Sequence, residues 1–515
     1  MNCSSKLFRN LWLADGTGAP LRRAAVLVRE GLVQAVEPEI LGSAAAEEHH
    51  DLGGRILAPG FLDAHGHSDL SILASPEGFG RISQGVTGEI VGNCGLSAFP
   101  LTGENRDHLT ELYRNYGVEL DWEDFAGWQK ALNARNVRLR MHALCGHNTL
   151  RAAVAGYEKK TLSGTEFDRM KELLETALQQ GASGLSTGLL YVPGKFADRD
   201  ELLFLMKLLA RAGSLYATHL HSEGRELLES LEETIELARS AGLRRVHISH
   251  FKTAGRANWH KLDRAIALLE EARAGGMELT VDRYPYTESM TQLSTILPGE
   301  WEDLDDETIE RRLADPATAE TLEHELAEAR PADSWPTVRL VGTSAPGMAE
   351  FCGETFDRIA ARCKLPPAAV AVRLLAADAA GTTAGFRGMS EENLRRIIAL
   401  DYCACGSDEN ARPADGSLGS CHPRAFGSLP HFLRLRLDAS SSIEAAVRQV
   451  TGLPAGIFRL ADAGVVAPGK PADLSAFGPE TIDGQADFLH PYAPASGILF
   501  TLIGGEFVYR GGSGC

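Results

Sequence analysis

The 515 residues contain no apolar run long enough to cross a bilayer, and the opening stretch MNCSSKLFRNLWLADGTGAP lacks the continuous apolar core of a secretion signal. Neither a membrane partner nor an exported precursor is expected, and the cytoplasm is the expected location. Basic residues are outnumbered, 51 Lys and Arg against 69 Asp and Glu, for a net charge of -18. With no basic stripe to displace counterions from a phosphate backbone, nucleic acid is not an expected partner. Cysteine is sparse and irregular: nine residues, an odd number, without a CxxC pair. That pattern argues against a disulfide framework and suits free thiols in a reducing compartment. What remains is ordinary globular composition, 44% hydrophobic and 23% charged, in a chain long enough for a large core and a smaller companion domain.

Both ends of the chain read as short strands broken by Gly and Asp: LWLADGTGAPL, AAVLVREGLVQAVEP and HHDLGGRILAPG at the start, GVVAPGKPADLSAFGP and ILFTLIGGEFVYRGG at the finish. The two ends are expected to pair in one small β domain, 1–58 plus 465–515. Between them apolar strands such as GEIVGNC, SLYATHLHSEG, RRVHISHFK and DYCACGSDEN alternate with amphipathic runs such as EFDRMKELLETALQQG and HKLDRAIALLEEARAGG. Repeated strand–helix units favour an α/β fold whose parallel sheet closes into a barrel, which takes about 250 residues. The segment 59–464 has room for that and for an insertion near 288–345, whose acidic stretch EWEDLDDETIERRLADPATAETLEHELAEARP reads as a solvated addition without chemistry of its own.

The informative residues sit at predicted strand ends. In FLDAHGHSDL, His65 and His67 are two apart, so on an extended segment both face one side while Gly66 faces the other. Two imidazoles so placed are adjacent metal ligands or a pair of hydrogen-bonded core histidines, at even odds. Partners elsewhere tip the balance: His219 in ATHLHSEG, His250 in HISHFK and Asp408 in CACGSDEN each end a predicted strand, where barrel enzymes gather their site residues. His221 shares a face with His219 and competes with it as a ligand; His247 lies opposite His250 and is expected to be structural. Cys145, Cys403 and Cys405 read as buried and inert. Cys94, in GEIVGNCGLSAFP between the first histidine pair and the later ones, supplies a soft thiolate suited to zinc alongside imidazoles.

The blocks APGFLDAHGHSDL, QGVTGEIVGNCGLSAFP, GASGLSTGLLYVPG, YATHLHSEG, VHISHFKTAG, VDRYPYTES, GSD and HPRAFGSLPHFL run nearly end to end. In them the chain resembles the amidohydrolase superfamily, specifically its N-acyl-D-amino-acid deacylases, with GNCG the most specific block. The resemblance implies a distorted (β/α)8 TIM-type barrel with a small β-sandwich domain from the two termini. It implies zinc held tightly by Cys94, His219 and His250, with His65, His67 and Cys94 able to form a second, weaker position. Asp408 then takes a proton from the activated water and passes it to the leaving nitrogen. Lys252 is implied as an outer or substrate-polarising group, and Arg424 with Tyr284 as the groups that hold the substrate's carboxylate. The substrate implied is a small N-acylated amino acid, cut to a carboxylic acid and a free D-amino acid; the preference for D over L comes from the resemblance alone.

Three places depart from the family's pattern: His221 where arginine is common, Glu288 and Met290 where small residues usually occur, and a longer GSDENARPADGSLGSCHPRAFG that adds Glu409, Asn410 and Arg412 near the expected mouth of the site. The rival readings are an amidohydrolase of cyclic amides, imides or unusual dipeptides, and a non-catalytic barrel scaffold. A cyclic substrate without a free carboxylate would leave Arg424 idle; a scaffold would be expected to have lost ligands that this chain retains.

Overall fold

The computed structural model describes residues 4–37 and 46–512. Two sets of parallel strands make its centre. One is Phe61–Asp63, Val86–Val91 and Arg140–Ala143, paired in that order. The other runs Cys145–Gly146, Gly184–Gly188, Leu215–His219, Arg245–Ile248, Glu278–Arg283 and Cys403–Cys405, every neighbouring pair parallel. Parallel pairing requires a crossover between strands, and amphipathic helices supply it. Gly164–Gln180 is started by Ser163 and Glu166 in a reciprocal cap, stopped by left-handed Gly181, and buries Met170, Leu174 and Ala177 along one stripe. Arg199–Ala212, Leu227–Ala241 and Leu262–Ala274 likewise bury an apolar stripe. Leu174, Leu205, Leu231 and Leu269 are fully buried against the strands, each worth about 1.5–3 kcal/mol of transfer free energy. No described helix is long and apolar enough to cross a membrane.

The chain termini meet in a separate eight-stranded sheet. Its path is Glu506–Arg510, Ile498–Ile503, Leu474–Phe477, Ile56–Pro59, Lys6–Leu13, Arg22–Arg29 and Leu32–Glu37, with Glu48–Asp51 also on Lys6–Leu13. The join between N- and C-terminal segments is the antiparallel pair Ile56–Pro59 with Leu474–Phe477. This sheet has its own apolar cluster, including Phe8, Leu11, Val26, Leu57, Leu474 and Leu502.

The region expected to be a solvated insertion is a folded unit. Strands Glu288–Gln292, Thr383–Arg387 and Val338–Gly342 pair antiparallel, so the unit reaches Arg387, past the expected limit of 345. Helices Asp306–Leu313, Pro316–Ala329, Phe356–Cys363 and Pro367–Asp378 pack on it. Its own core includes Trp301, Leu322, Trp335 and Phe356.

Candidate metal centre and its cavity

The strand that leads to the first histidines ends at Asp63, so His65 and His67 lie just beyond it rather than on it. They still converge, because Asp63 accepts hydrogen bonds from His65 N (3.2 Å) and Ser407 N (2.8 Å), pinning the turn to the segment after the last parallel strand. Gly66 has to be glycine: a Cβ there would sit 1.8 Å from Glu89 Oε1. Three further site residues adopt the left-handed backbone region that side chains disfavour: Cys94 (φ 51), His250 (φ 35) and Asp408 (φ 54). Each such residue costs on the order of 1–3 kcal/mol, and non-glycine examples cluster at functional sites. Local bonds hold them, His250 N donating to Asp282 Oδ1 (3.0 Å) and Asp408 N to His65 O (2.7 Å).

The side chains meet in two overlapping groups. Cys94, His219 and His250 form one; His65, His67, Cys94 and Asp408 form the other; in each the potential ligand atoms all lie within 4.8 Å of one another. Cys94 Sγ is the shared atom, 3.4 Å from His65 Nε2 and 3.3 Å from His250 Nε2. Burial alone would push its thiol up, but the imidazoles of His65 and His250 outweigh that and hold it well below its ordinary range. His219 is buried, and among the described residues neither of its ring nitrogens has a hydrogen-bond partner of regular geometry. A buried imidazole with both nitrogens unspent is costly unless something else takes them up. His221 is set apart: it bonds Ser230 Oγ (2.9 Å), faces Glu233 (3.5 Å) and is a third exposed.

Carboxylates behind the ring fix which nitrogen points inward. His65 Nδ1 donates to Asp282 Oδ2 (3.0 Å), and His250 Nδ1 lies 2.7 Å from Glu223 Oε1 and 2.9 Å from Lys252 Nζ, with both Nε2 atoms toward Cys94. Asp282 also receives His247 Nε2 (2.9 Å), which gives that histidine its structural role. Burial opposes ionisation of both carboxylates, but Lys252 and His250 beside Glu223, and His65 and His247 beside Asp282, drive them below their ordinary range. Lys252 is buried, not a surface lysine; it donates to Glu223 and to His250 O (3.1 Å). Glu223 and Asp282 escaped the sequence reading. Glu223 stands four residues after His219 and Asp282 two before Tyr284, but nothing in a local pattern says which carboxylate turns inward.

Asp408 joins His67 Nε2 at 3.1 Å to Arg424 Nη1 at 2.8 Å. Burial would raise its carboxyl; Arg424, then His250, hold it well below the usual carboxylate range. Glu409, expected near the mouth, is instead fully buried behind Arg424, 3.6 Å from its Nε. Arg81 donates to the Glu409 backbone carbonyl there. Glu288 is also spent, tied to Arg339 (3.1 Å) and Arg387 (2.9 Å), whereas Met290 lends its carbonyl to Arg424 (3.4 Å). Tyr284 is buried under the guanidinium of Arg424, 4.8 Å from its ring centroid, and its hydroxyl has no partner among the described residues. Above these groups opens a cavity of about 680 Å³ bordered by Cys94, His219, His250, Lys252, Tyr284 and Asp408. Ser289, Thr291 and Thr343 of the inserted unit line it too, so that unit roofs the site rather than standing clear of it.

Residues 48–509 match the amidohydrolase family. The N-acyl-D-glutamate deacylase of Alcaligenes xylosoxydans xylosoxydans is 33% identical over 505 residues, which is 97% of this chain and 92% of the relative. The chain belongs to the amidohydrolase family, in its N-acyl-D-amino-acid deacylase branch. It is a hydrolase with an α/β fold. The crystal structure of N-acyl-D-glutamate deacylase from Bordetella bronchiseptica, complexed with zinc and a phosphonate mimic of the tetrahedral intermediate, superposes with TM-score 0.82 at 31% identity, covering 98% of this chain and 96% of that one. A D-aminoacylase structure concerned with a binuclear metal centre gives TM-score 0.80 at 30% identity, covering 99% and 97%.

Proposed function

We propose that this amidohydrolase cuts the amide bond of N-acyl-D-amino acids in a zinc-dependent reaction, releasing a carboxylic acid and a free D-amino acid. The observation that carries the reading is the convergence of Cys94, His219 and His250 at a cavity that is also lined by Asp408, itself paired to Arg424. Relatives that act on N-acyl-D-glutamate support the substrate class. Seven described cysteines are free thiols, in keeping with a reducing cytoplasm.

The scaffold fits the reading. The two parallel sets are taken as arcs of one closed (β/α)8 barrel, with Arg140–Ala143 and Cys145–Gly146 as one strand broken at Leu144: Leu144 N bonds Val91 O (2.9 Å) at that break, while Ala64 N bonds Cys405 O (3.0 Å) and Gly66 bridges Glu409 at the closing seam. The terminal strands, with their separate apolar cluster, make the accompanying small sandwich-like domain.

One sulfur and two imidazole nitrogens are a zinc donor set, and the unspent nitrogens of His219 suit it. Cys94, His219 and His250 would hold the first ion; His65 and His67, sharing Cys94 with it, would hold a second more weakly. Bound zinc brings the pKa of water from 15.7 to about 7 and polarises a carbonyl. Arg424 presents a planar fork to the substrate's carboxylate, and Tyr284 adds its unpaired hydroxyl. Because Arg424 also holds Asp408, the amide nitrogen is delivered beside the carboxylate that must protonate it. Asp408 accepts a proton from the attacking water at one oxygen and gives it to the departing nitrogen. Lys252 acts through Glu223, and Glu223 through His250.

Two predictions follow from these roles. N-acetyl-D-leucine is hydrolysed, its L enantiomer is not, a chelator abolishes the activity and zinc restores it; equal turnover of the two enantiomers, or activity that survives complete zinc removal, contradicts the proposal. Glu223→Gln weakens zinc binding by about 10–100-fold, the usual cost of losing an outer carboxylate partner. Competition with a zinc indicator measures this directly, and unchanged affinity would leave Glu223 without the orienting role.

A further inference from the structure

The cavity volume of about 680 Å³ falls within the roughly 300–1,000 Å³ typical of sites for drug-sized ligands. An N-acetyl amino acid is much smaller than that. The surplus has a place and a chemistry. Leu109, Leu112 and Tyr113 from the connection after strand Val86–Val91, Tyr157 after the helix His147–Ala155, and Trp301 with Ile309 from the inserted unit line one lobe of the same cavity. Several polar groups beside them make contacts within the same wall. His108 packs on Tyr157 with ring centroids 4.0 Å apart, Asp306 accepts from Gln292 (3.0 Å) and Ser294 (3.3 Å), and Lys195 pairs with Asp303 (2.8 Å). The lobe therefore offers apolar and aromatic surface.

Its position decides which half of the substrate it receives. Asp408 and Arg424 both follow the last parallel strand, Cys403–Cys405. The amino-acid half hangs from the nitrogen that Asp408 protonates and carries the carboxylate that Arg424 holds, so it occupies that side. The acyl half then takes the remainder of the cavity, which the connections after Val86–Val91 and Cys145–Gly146 border with Leu112 and Tyr157.

Building on the function proposed above, we propose that the natural acyl group is a large apolar one, a medium-length alkyl chain or an aryl-alkyl group, seated in this lobe. Hydrolysis stays the same reaction: the C–N bond breaks, water's oxygen joins the acyl carbon, and the proton goes to nitrogen. Selection comes from burying methylene groups, at about 4-fold in kcat/KM per methylene.

The test is kcat/KM for N-acetyl-, N-butyryl-, N-hexanoyl- and N-octanoyl-D-leucine, set beside N-acetyl derivatives of D-alanine, D-leucine and D-phenylalanine. The expected result is a steep rise along the acyl series. Leu112→Asp should flatten that rise while the N-acetyl value stays near wild type, and Tyr157→Asp, on a different element, should do the same. A flat or falling acyl series with N-acetyl-D-leucine still hydrolysed overturns this inference alone. A rise confined to the side-chain series, or an acyl slope unchanged in both variants, also overturns it. No hydrolysis of any member overturns it together with the function on which it rests.

Discussion

Asp408→Asn should lower kcat by about 10²–10⁴-fold, the usual worth of a positioned general acid–base group, with zinc still bound. Asparagine keeps the shape of the side chain and one acceptor oxygen for His67 or Arg424, but it cannot take up a proton and hand it on. The wild-type carboxyl is held well below its ordinary range by Arg424 and His250, so it is ionised and ready to accept throughout neutral pH. Cys94, His219 and His250 do not include it, so metal retention is independent of it. Steady-state kinetics with metal content per chain separates the effects. A fall in kcat of less than about tenfold would remove Asp408 from proton transfer, and parallel loss of zinc would make it principally a ligand.

Much of this centre was legible in the sequence because its residues obey two local rules. His219 ends its strand as the apolar pattern says, and His65, Cys94, His250 and Asp408 stand two or three residues past theirs. The wider site was not legible, for a physical reason. The inserted unit is assembled by pairing Glu288–Gln292 with Thr383–Arg387, strands nearly a hundred residues apart, and no local periodicity announces so distant a partner. Its acidic helices look like solvated surface one at a time; only their packing on Trp335 and Phe356 reveals a core.

The carboxylates behind the ligands were missed for a related cause. Asp282 serves His65 from 217 residues away and His247 from 35, while Glu223 serves His250 from a neighbouring connection. A ligand is betrayed by its type and place at a strand end, but an orienting carboxylate is defined only by what it touches. Glu409 shows the opposite error. Its place in an elongated loop suggested exposure, yet it is buried, with Arg81 on its carbonyl and Arg424 beside its carboxylate.

Cys94 carries the heaviest share of the account, since both ligand groups run through its sulfur. Serine at this position preserves size but offers a neutral hydroxyl in place of a thiolate, a poor zinc donor. The loss should exceed the roughly 10–100-fold that a missing outer partner costs. The decisive measurement is zinc per chain and turnover of an N-acyl-D-amino acid in Cys94→Ser beside the wild type. The account predicts about one tightly held zinc in the wild type and near-complete loss of both metal and activity in the variant. A variant that keeps its zinc and its turnover would contradict it.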